Sequence, residues 1–439
     1  MRLAITRRDL LRAGSLAAAL SALNWSAIVR AASAAVREGL AKVVWFEAQS
    51  CTGDTTAIIQ ATDPTLEDVL LGTTPLVPPG TVVLLAHDTV LPPWGTYHIR
   101  DPSDVADRKR LYDYLETQAV EGVSDADRHL EEIAEGKYGP YVLVLEGSFP
   151  QEADIPGTNI RERGGYYCVV GHRTCAEWLK HLLKNALAVV TVGNCSSYGG
   201  MPANKVLEPP PGFTPPSWSP SPTGSLGFFD DPIRGYRGMI HQSYFEPEVL
   251  PFRKYIDEGG EPDLKTSKPA VALPGCPVNG NAIVRTLALA VLVVAGILKP
   301  HVLRREDFLD EYARPRFIYG RTVHEQCPRA GAYTAGDLRE YPGSSDYKCL
   351  FSVGCKGPIS NCPWNKVGWI AGVGGPVRAG GVCIGCTMPG FSDAYEPFWK
   401  ALPAPTLPPV STIAAAAGAG VVLGAVGAYL FARRARERE

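Results

Sequence analysis

The chain has 439 residues, enough for two or three domains, and its 45% hydrophobic and 20% charged residues are typical of a globular protein. The formal net charge is −2 and the body of the chain has no run of Lys and Arg, so there is no electrostatic basis for nucleic-acid binding. The 11 cysteines are an odd number, which favours thiols held by metal over a framework of paired disulfides.

The first 35 residues have the layout of a signal peptide. The pair Arg7-Arg8 precedes an apolar stretch over 13–29, and a run of small residues follows over 31–35. Paired arginines followed by leucines resemble a twin-arginine signal, which directs export of folded proteins. The alternatives are an ordinary secretory signal and an uncleaved anchor.

Apolar runs and helical patterns alternate between residues 36 and 300. The predicted strands are 42–46, 82–86, 141–145, 187–192 and 270–273, and the predicted helices are 111–120, 125–135, 174–186 and a buried run over 282–298. This alternation predicts an α/β fold with a parallel sheet covered on both faces. A Pro-rich insertion over 208–223 is predicted to be a surface loop.

The rest of the chain has a different character. Residues 301–408 are dense in Cys, Gly and Pro, which predicts a smaller, irregular domain that folds around cofactors. The apolar segment 410–432 exceeds the about 20 residues needed to cross a bilayer. Four arginines follow it, and basic residues favour the cytoplasmic side, so we expect a C-terminal transmembrane helix with the body outside.

Three cysteines lie directly after predicted strands. Cys51 follows the first strand, Cys195 the fourth and Cys276 the fifth. Because ligands bind at the carboxyl ends of strands in open parallel sheets, we expect these thiols to meet at one edge. Asp54 is three residues beyond Cys51, within reach as a fourth ligand.

The second domain carries two further groups of candidate ligands. The first group is His324, Cys327, Cys349 and Cys355, and the second is Cys362, Cys383 and Cys386. His/Cys3 and Cys-x-x-Cys sets also suit tetrahedral zinc, which is the alternative interpretation. A series of neighbouring sites favours iron–sulfur clusters, because electron transfer needs several centres in succession.

In order and spacing, these motifs resemble the small subunits of nickel–iron hydrogenases over roughly residues 40–400. The matching pieces are Cys51-Thr-Gly, Val144-Leu-Glu-Gly-Ser, Gly193-Asn-Cys195, Pro274-Gly-Cys276-Pro, His324-x-x-Cys327-Pro, Gly354-Cys355-Lys-Gly-Pro358, Asn361-Cys362-Pro363 and Cys383-Ile-Gly-Cys386. The two ends also match membrane-bound members. The resemblance implies a flavodoxin-like domain over 36–300 and an iron–sulfur domain over 301–408.

The resemblance also implies three clusters. A proximal 4Fe-4S cluster would take Cys51, Asp54, Cys195 and Cys276. A distal 4Fe-4S cluster would take His324, Cys327, Cys349 and Cys355. A medial 3Fe-4S cluster would take Cys362, Cys383 and Cys386, since Pro376 stands where a fourth cysteine could be.

Asp54 departs from the common pattern, in which relatives have Cys. A branch similar to enzymes that oxidise trace hydrogen has Asp there; the alternative is that Asp54 is a solvated loop residue. Gly53 cannot ligate, so a six-cysteine proximal cluster is not expected even though Cys168 resembles an extra cysteine of oxygen-tolerant relatives. Cys175 is predicted to be a small buried residue.

The implied function is that of the electron-transfer subunit of an uptake hydrogenase. The nickel–iron site would lie in a large-subunit partner, and electrons would pass to a membrane cytochrome b or similar quinone-linked acceptor. No residue of this chain is expected to be an acid–base catalyst. Two alternatives remain: an iron–sulfur subunit of another respiratory complex, such as the quinone-reductase module of complex I, and a membrane-tethered zinc or structural protein.

Overall fold

The computed structural model describes residues 41–62, 65–67, 82–87, 125–151, 167–171, 173–208, 219–241, 269–294, 308–341, 346–370 and 372–402. The predicted signal peptide, the helix over 111–120, the centre of the Pro-rich insertion and the segment 410–432 lie outside these residues. Within the described part of the chain, no helix combines the length and apolar character needed to span a bilayer. The described residues up to Lys400 belong to one compact unit.

Among the described residues, seven strands form two sheets. They are β1 (Ala41–Glu47), β2 (Val82–His87), β3 (Tyr141–Glu146), β4 (Val169–Val170), β5 (Arg173–Thr174), β6 (Ala186–Val192) and β7 (Ala270–Leu273). Five of them make a parallel sheet in the order β2-β1-β3-β6-β7, and β4 and β5 form a small antiparallel pair. The predicted parallel sheet is therefore confirmed, with each strand end within a residue of its expected place.

The sheet is buried on both faces. All six residues of β3 and all four of β7 are buried, which is why these strands are continuous apolar runs without alternation. Trp45 pairs with Val144, and Val189 with Ala270, so the central strands keep their carboxyl ends at one edge.

The helices are mostly short. They are α1 (Gly53–Ile58), α2 (Asp125–Ala134), α3 (Cys175–Leu183), α4 (Gly193–Tyr198), α5 (Gly280–Val294), α6 (Arg316–Tyr319), α7 (Ala330–Thr334) and α8 (Trp364–Val367). Thr174 caps α3 in a capping box with Glu177. The predicted helix over 174–186 was too long, because Ala186 already pairs with Tyr141 as the first residue of β6.

The chain turns at the sheet edge through two short helices that were not predicted from the sequence. α1 and α4 each begin within a few residues of a strand end, after β1 and β6. α5 packs closely on α1, since a Cβ at Gly280 would overlap the carbonyl oxygen of Ala57. In the described residues from 308 to 402 the chain consists of short helices and turns. The division into two domains near residue 300 stays a prediction.

Candidate metal centres

Four side chains converge at the carboxyl edge of the sheet. They are called here the proximal set: Cys51, Asp54, Cys195 and Cys276. Cys51 and Cys276 lie in the turns after β1 and β7, whereas Asp54 lies in α1 and Cys195 in α4. Burial raises the pKa of the Cys195 thiol, and the charges of Cys276, Asp54 and Cys51 raise it further. Burial, Asp54 and Cys51 likewise raise the pKa of Cys276, to about 11. The three thiols and the carboxylate therefore lie within electrostatic reach of one another, as the topology predicts.

Asp54 is buried, with 7% of its surface exposed, which contradicts the alternative that it is a solvated loop residue. Its Oδ1 accepts a hydrogen bond of 2.6 Å from the backbone N–H of Val278. A Cβ at Gly193 would overlap Asp54 Oδ2, and Gly193 has φ +91°. Burial raises the pKa of Asp54 well above its usual range, and the charge of Glu146 adds to this shift.

Glu146, at the end of β3, anchors the turn that carries Cys51 and Asp54. It is fully buried and accepts hydrogen bonds of 3.1 Å from the backbone N–H groups of Asp54 and Thr55. Ser50 Oγ and Trp45 Nε1 also donate to it, at 3.0 and 2.9 Å. The carboxylate satisfies the free N–H groups of the first turn of α1. In the sequence Glu146 is marked only as part of the Val144-Leu-Glu-Gly-Ser motif, so this role was not predicted.

The second group lines a single pocket. His324, Cys327, Cys349 and Cys355, here called the distal set, surround about 290 Å³ of space that opens to solvent. The edge of the Tyr333 ring packs on the His324 ring, with centroids 4.6 Å apart. Burial raises the pKa of each of the three thiols.

The third group is the most enclosed. Cys362, Cys383 and Cys386 form the medial set, and the first two are 7% exposed. Burial raises the pKa of Cys383 to about 11 and that of Cys386 to about 12. The pKa of the Cys362 thiol is shifted upward by burial and then by the charges of Cys386 and Cys383.

The three sets form a continuous series. Cys276 of the proximal set is close enough to Cys386 of the medial set for its charge to raise the pKa of the Cys386 thiol and for its backbone to lower it. The charge of Cys355 in the distal set raises the pKa of the Cys383 thiol in the medial set. Asn194, beside Cys195, donates hydrogen bonds of 3.0 and 2.8 Å to the carbonyls of Cys386 and Met388. The medial set therefore lies between the other two.

The donor chemistry fits iron–sulfur clusters. All nine cysteines of the three sets are free, and Cys thiolates are the usual ligands of such clusters. Among the described residues, no three His, Cys, Asp or Glu side chains stand close enough to hold a single metal ion.

The remaining two cysteines form a disulfide. Cys168 and Cys175 are bonded, with Cα atoms 5.4 Å apart, and tie the residue before β4 to the first residue of α3. Cys175 is fully buried, as predicted, but the pairing was not predicted. Two paired and nine free cysteines account for the odd total of 11.

The fold and the thiol series define an iron–sulfur electron-transfer protein, and comparison with known proteins gives the family. Residues 319–399 match the family of C-terminal regions of NiFe/NiFeSe hydrogenase small subunits, and residues 51–290 match the NADH ubiquinone oxidoreductase 20 kDa subunit. The actinobacterial-type NiFe-hydrogenase of Ralstonia eutropha H16 is 32% identical, with 84% of each chain covered and a TM-score of 0.56. The uptake hydrogenase small subunit of Azotobacter vinelandii is 28% identical over 392 residues, 89% of this chain and 81% of that one.

The chain belongs to the small subunits of nickel–iron hydrogenases. It is therefore an iron–sulfur, electron-transferring subunit of a heteromeric hydrogenase and pairs with a nickel–iron large subunit. The match over 51–290 shows that the sheet domain is shared with a protein of complex I, whereas the match over 319–399 is specific to hydrogenases. Because this family carries iron–sulfur clusters, membership of it decides against the alternative that the Cys and His sets hold zinc.

Proposed function

We propose that this chain belongs to an uptake hydrogenase and conducts electrons from H2 oxidation through three iron–sulfur clusters to a membrane acceptor. One observation carries the proposal: the medial thiols lie between the proximal and distal sets, through the neighbours Cys276–Cys386 and Cys355–Cys383. Electron transfer over a protein's width requires such a series of centres. The Azotobacter vinelandii relative is itself an uptake hydrogenase small subunit.

Each set would hold one cluster. The proximal 4Fe-4S cluster would take Cys51, Asp54, Cys195 and Cys276; the distal 4Fe-4S cluster would take His324, Cys327, Cys349 and Cys355; and the medial 3Fe-4S cluster would take Cys362, Cys383 and Cys386. These groups supply one-electron redox chemistry when bound. The chain's own residues hold them, exclude water from the medial site and fix their order.

Native, anaerobic purification tests this function. We expect the chain to copurify with a nickel-containing large subunit, to absorb near 400 nm and to show electron paramagnetic resonance (EPR) signals of two 4Fe-4S clusters and one 3Fe-4S cluster. A colourless product that contains zinc would overturn the proposal.

Asp54 as a proximal ligand has its own test. The buried carboxylate is held by Val278 N–H and faces the three proximal thiols. We expect Asp54→Cys to shift the reduction potential or EPR signal of the proximal cluster, because a thiolate replaces a hard oxygen ligand. The medial and distal signals serve as internal controls. An unchanged proximal spectrum and potential would show that Asp54 is not a ligand.

The membrane attachment and location rest on the ends of the sequence. The signal over 1–35 would direct export by the twin-arginine route, and the helix over 410–432 would anchor the chain with its tail in the cytoplasm. Domains 36–300 and 301–408 would then lie outside the cytoplasm, next to a cytochrome b or similar quinone-linked acceptor. Truncation after Leu402 should release active enzyme from membranes, whereas replacing Arg7-Arg8 by two lysines should retain it in the cytoplasm. Membrane retention of the truncated chain would contradict the anchor.

A further inference from the structure

Lys356 is a buried cation that the cluster assignment leaves without a role. It lies inside the motif Gly354-Cys355-Lys-Gly-Pro358 and is only 3% exposed. Its Nζ donates hydrogen bonds of 2.7, 2.8 and 3.1 Å to the carbonyl oxygens of Gly354, Lys400 and Phe398. Three acceptors match the three hydrogens of an ammonium group. Burial lowers the pKa of Lys356, whereas the charges of Cys355 and Cys383 raise it.

No carboxylate neutralises this charge within the described part of the chain, where Lys356 forms no ion pair and all three Nζ partners are backbone carbonyls. Burial of an ammonium without a counter-ion is costly. A charge kept under these conditions in a cofactor-bearing region points to a counterpart of negative charge nearby.

The backbone of Lys356 links the distal and medial sets. Lys356 directly follows Cys355 of the distal set, and its backbone N–H donates a hydrogen bond of 2.7 Å to the carbonyl of Cys383 of the medial set. Its positive charge stabilises the thiolate forms of both Cys355 and Cys383. One cation therefore acts on one ligand of each cluster site.

Backbone packing fixes the position of the ammonium group. Gly354 has φ +111°, and a Cβ there would lie 2.6 Å from the carbonyl carbon of Trp399. The turn that carries Lys356 is thus in direct contact with the segment that accepts two of its hydrogen bonds. Ser360 Oγ also donates a hydrogen bond of 2.8 Å to the Lys356 carbonyl. The charge cannot swing away from either site without breaking this packing.

We propose that Lys356 is a positioning residue for electron transfer: a fixed positive charge, shared by the medial and distal clusters, that raises the reduction potentials of both. The inference rests on the proposed cluster assignment. Reduction adds one electron to a cluster and makes it more negative, and a nearby cation stabilises that form, more strongly in a low-dielectric interior than in water. Because one charge serves both sites, an electron that leaves one cluster for the other remains in its field.

The test is a redox titration of the assembled enzyme, followed by EPR, with Lys356→Met and Lys356→Arg. In Lys356→Met the ratio of reduced to oxidised medial and distal clusters at a fixed potential should fall about tenfold, which corresponds to a lowering of about 59 mV for one electron. The proximal cluster should keep its potential, since the hydrogen bonds of Lys356 reach no proximal ligand. Lys356→Arg keeps the charge and should keep all three potentials.

Unchanged medial and distal potentials in Lys356→Met, or equal shifts in the Met and Arg variants, would overturn the proposal. Lys356→Gln, whose amide still donates two hydrogen bonds, is the second neutral variant. If neither neutral variant retains iron, Lys356→Arg decides: wild-type potentials support the proposal, and shifted potentials reject it. A wild-type enzyme without the three EPR signals would instead refute the proposed function itself.

Discussion

The contact between Gly193 and Asp54 allows a prediction with a matched control. In Gly193→Ala the new methyl group would lie 3.0 Å from Asp54 Cγ and overlap its Oδ2, at a residue with φ +91°. The backbone conformation alone costs a non-glycine residue about 1–2 kcal/mol. Displacing the carboxylate also removes the side-chain acceptor of the buried N–H of Val278, which costs about 1–3 kcal/mol more.

Gly235→Ala separates these two contributions. Gly235 has φ +77°, and a Cβ there would meet nothing within 4 Å. Gly235→Ala should therefore lose only the about 1–2 kcal/mol of folding free energy that the backbone conformation costs a non-glycine residue. We expect Gly193→Ala to lose about 1–3 kcal/mol more folding free energy than Gly235→Ala. This difference lowers the melting temperature by several degrees more, at about 2–4 °C per kcal/mol.

Both variants are to be purified as the assembled enzyme and compared by thermal unfolding and by the EPR signal of the proximal cluster. Only Gly193→Ala should alter the proximal signal, because only there does the methyl group displace Asp54. Equal melting temperatures together with a wild-type proximal signal in Gly193→Ala would refute the reasoning.

Three further predictions concern residues around the thiols. Replacing Cys168 and Cys175 by alanine should lower stability by about 2–3 kcal/mol, because their disulfide closes a loop over a separation of 7 residues; all EPR signals should persist, and loss of one would assign these cysteines to a cluster. Glu146→Gln should destabilise the chain by about 1–3 kcal/mol and perturb the EPR signal of the proximal cluster alone, because an amide cannot accept every hydrogen bond that the carboxylate accepts. An unperturbed proximal signal would contradict the anchoring role of Glu146. In chelator-stripped protein the pKa values of Cys383 and Cys386, about 11 and 12, exceed the usual value of about 8.5, so the folded state binds more protons. Stability should be complete below about pH 8.5 and decline as pH rises towards 11–12, and a urea midpoint that rises with pH would contradict this.

The sheet and the convergence of the thiols were predictable from sequence because both depend on simple rules. Buried parallel strands are continuous apolar runs, so β3 and β7 are visible as such. Cysteines directly after strands meet at one edge whatever the order of the strands. The position of Cys51, Cys195 and Cys276 relative to β1, β6 and β7 was therefore sufficient.

Other features depend on partners that are distant in sequence. Glu146 receives hydrogen bonds from residues 91 to 101 positions earlier, so nothing local marks it as an anchor. The charge of Lys356 is informative only because Phe398 and Lys400 enclose it. The Cys168–Cys175 bond joins residues that are close in sequence, but spacing alone does not show that two thiols are bonded.

The burial of the medial thiols has a consequence for maturation. Cys362 and Cys383 are almost wholly enclosed, and Arg314, itself 2% exposed, bonds to Asn361 and Thr387 next to Cys362 and Cys386. Closing these segments narrows the access of a cofactor of several atoms to the two buried thiols. We therefore expect the medial cluster to be inserted before the packing around Arg314 is complete.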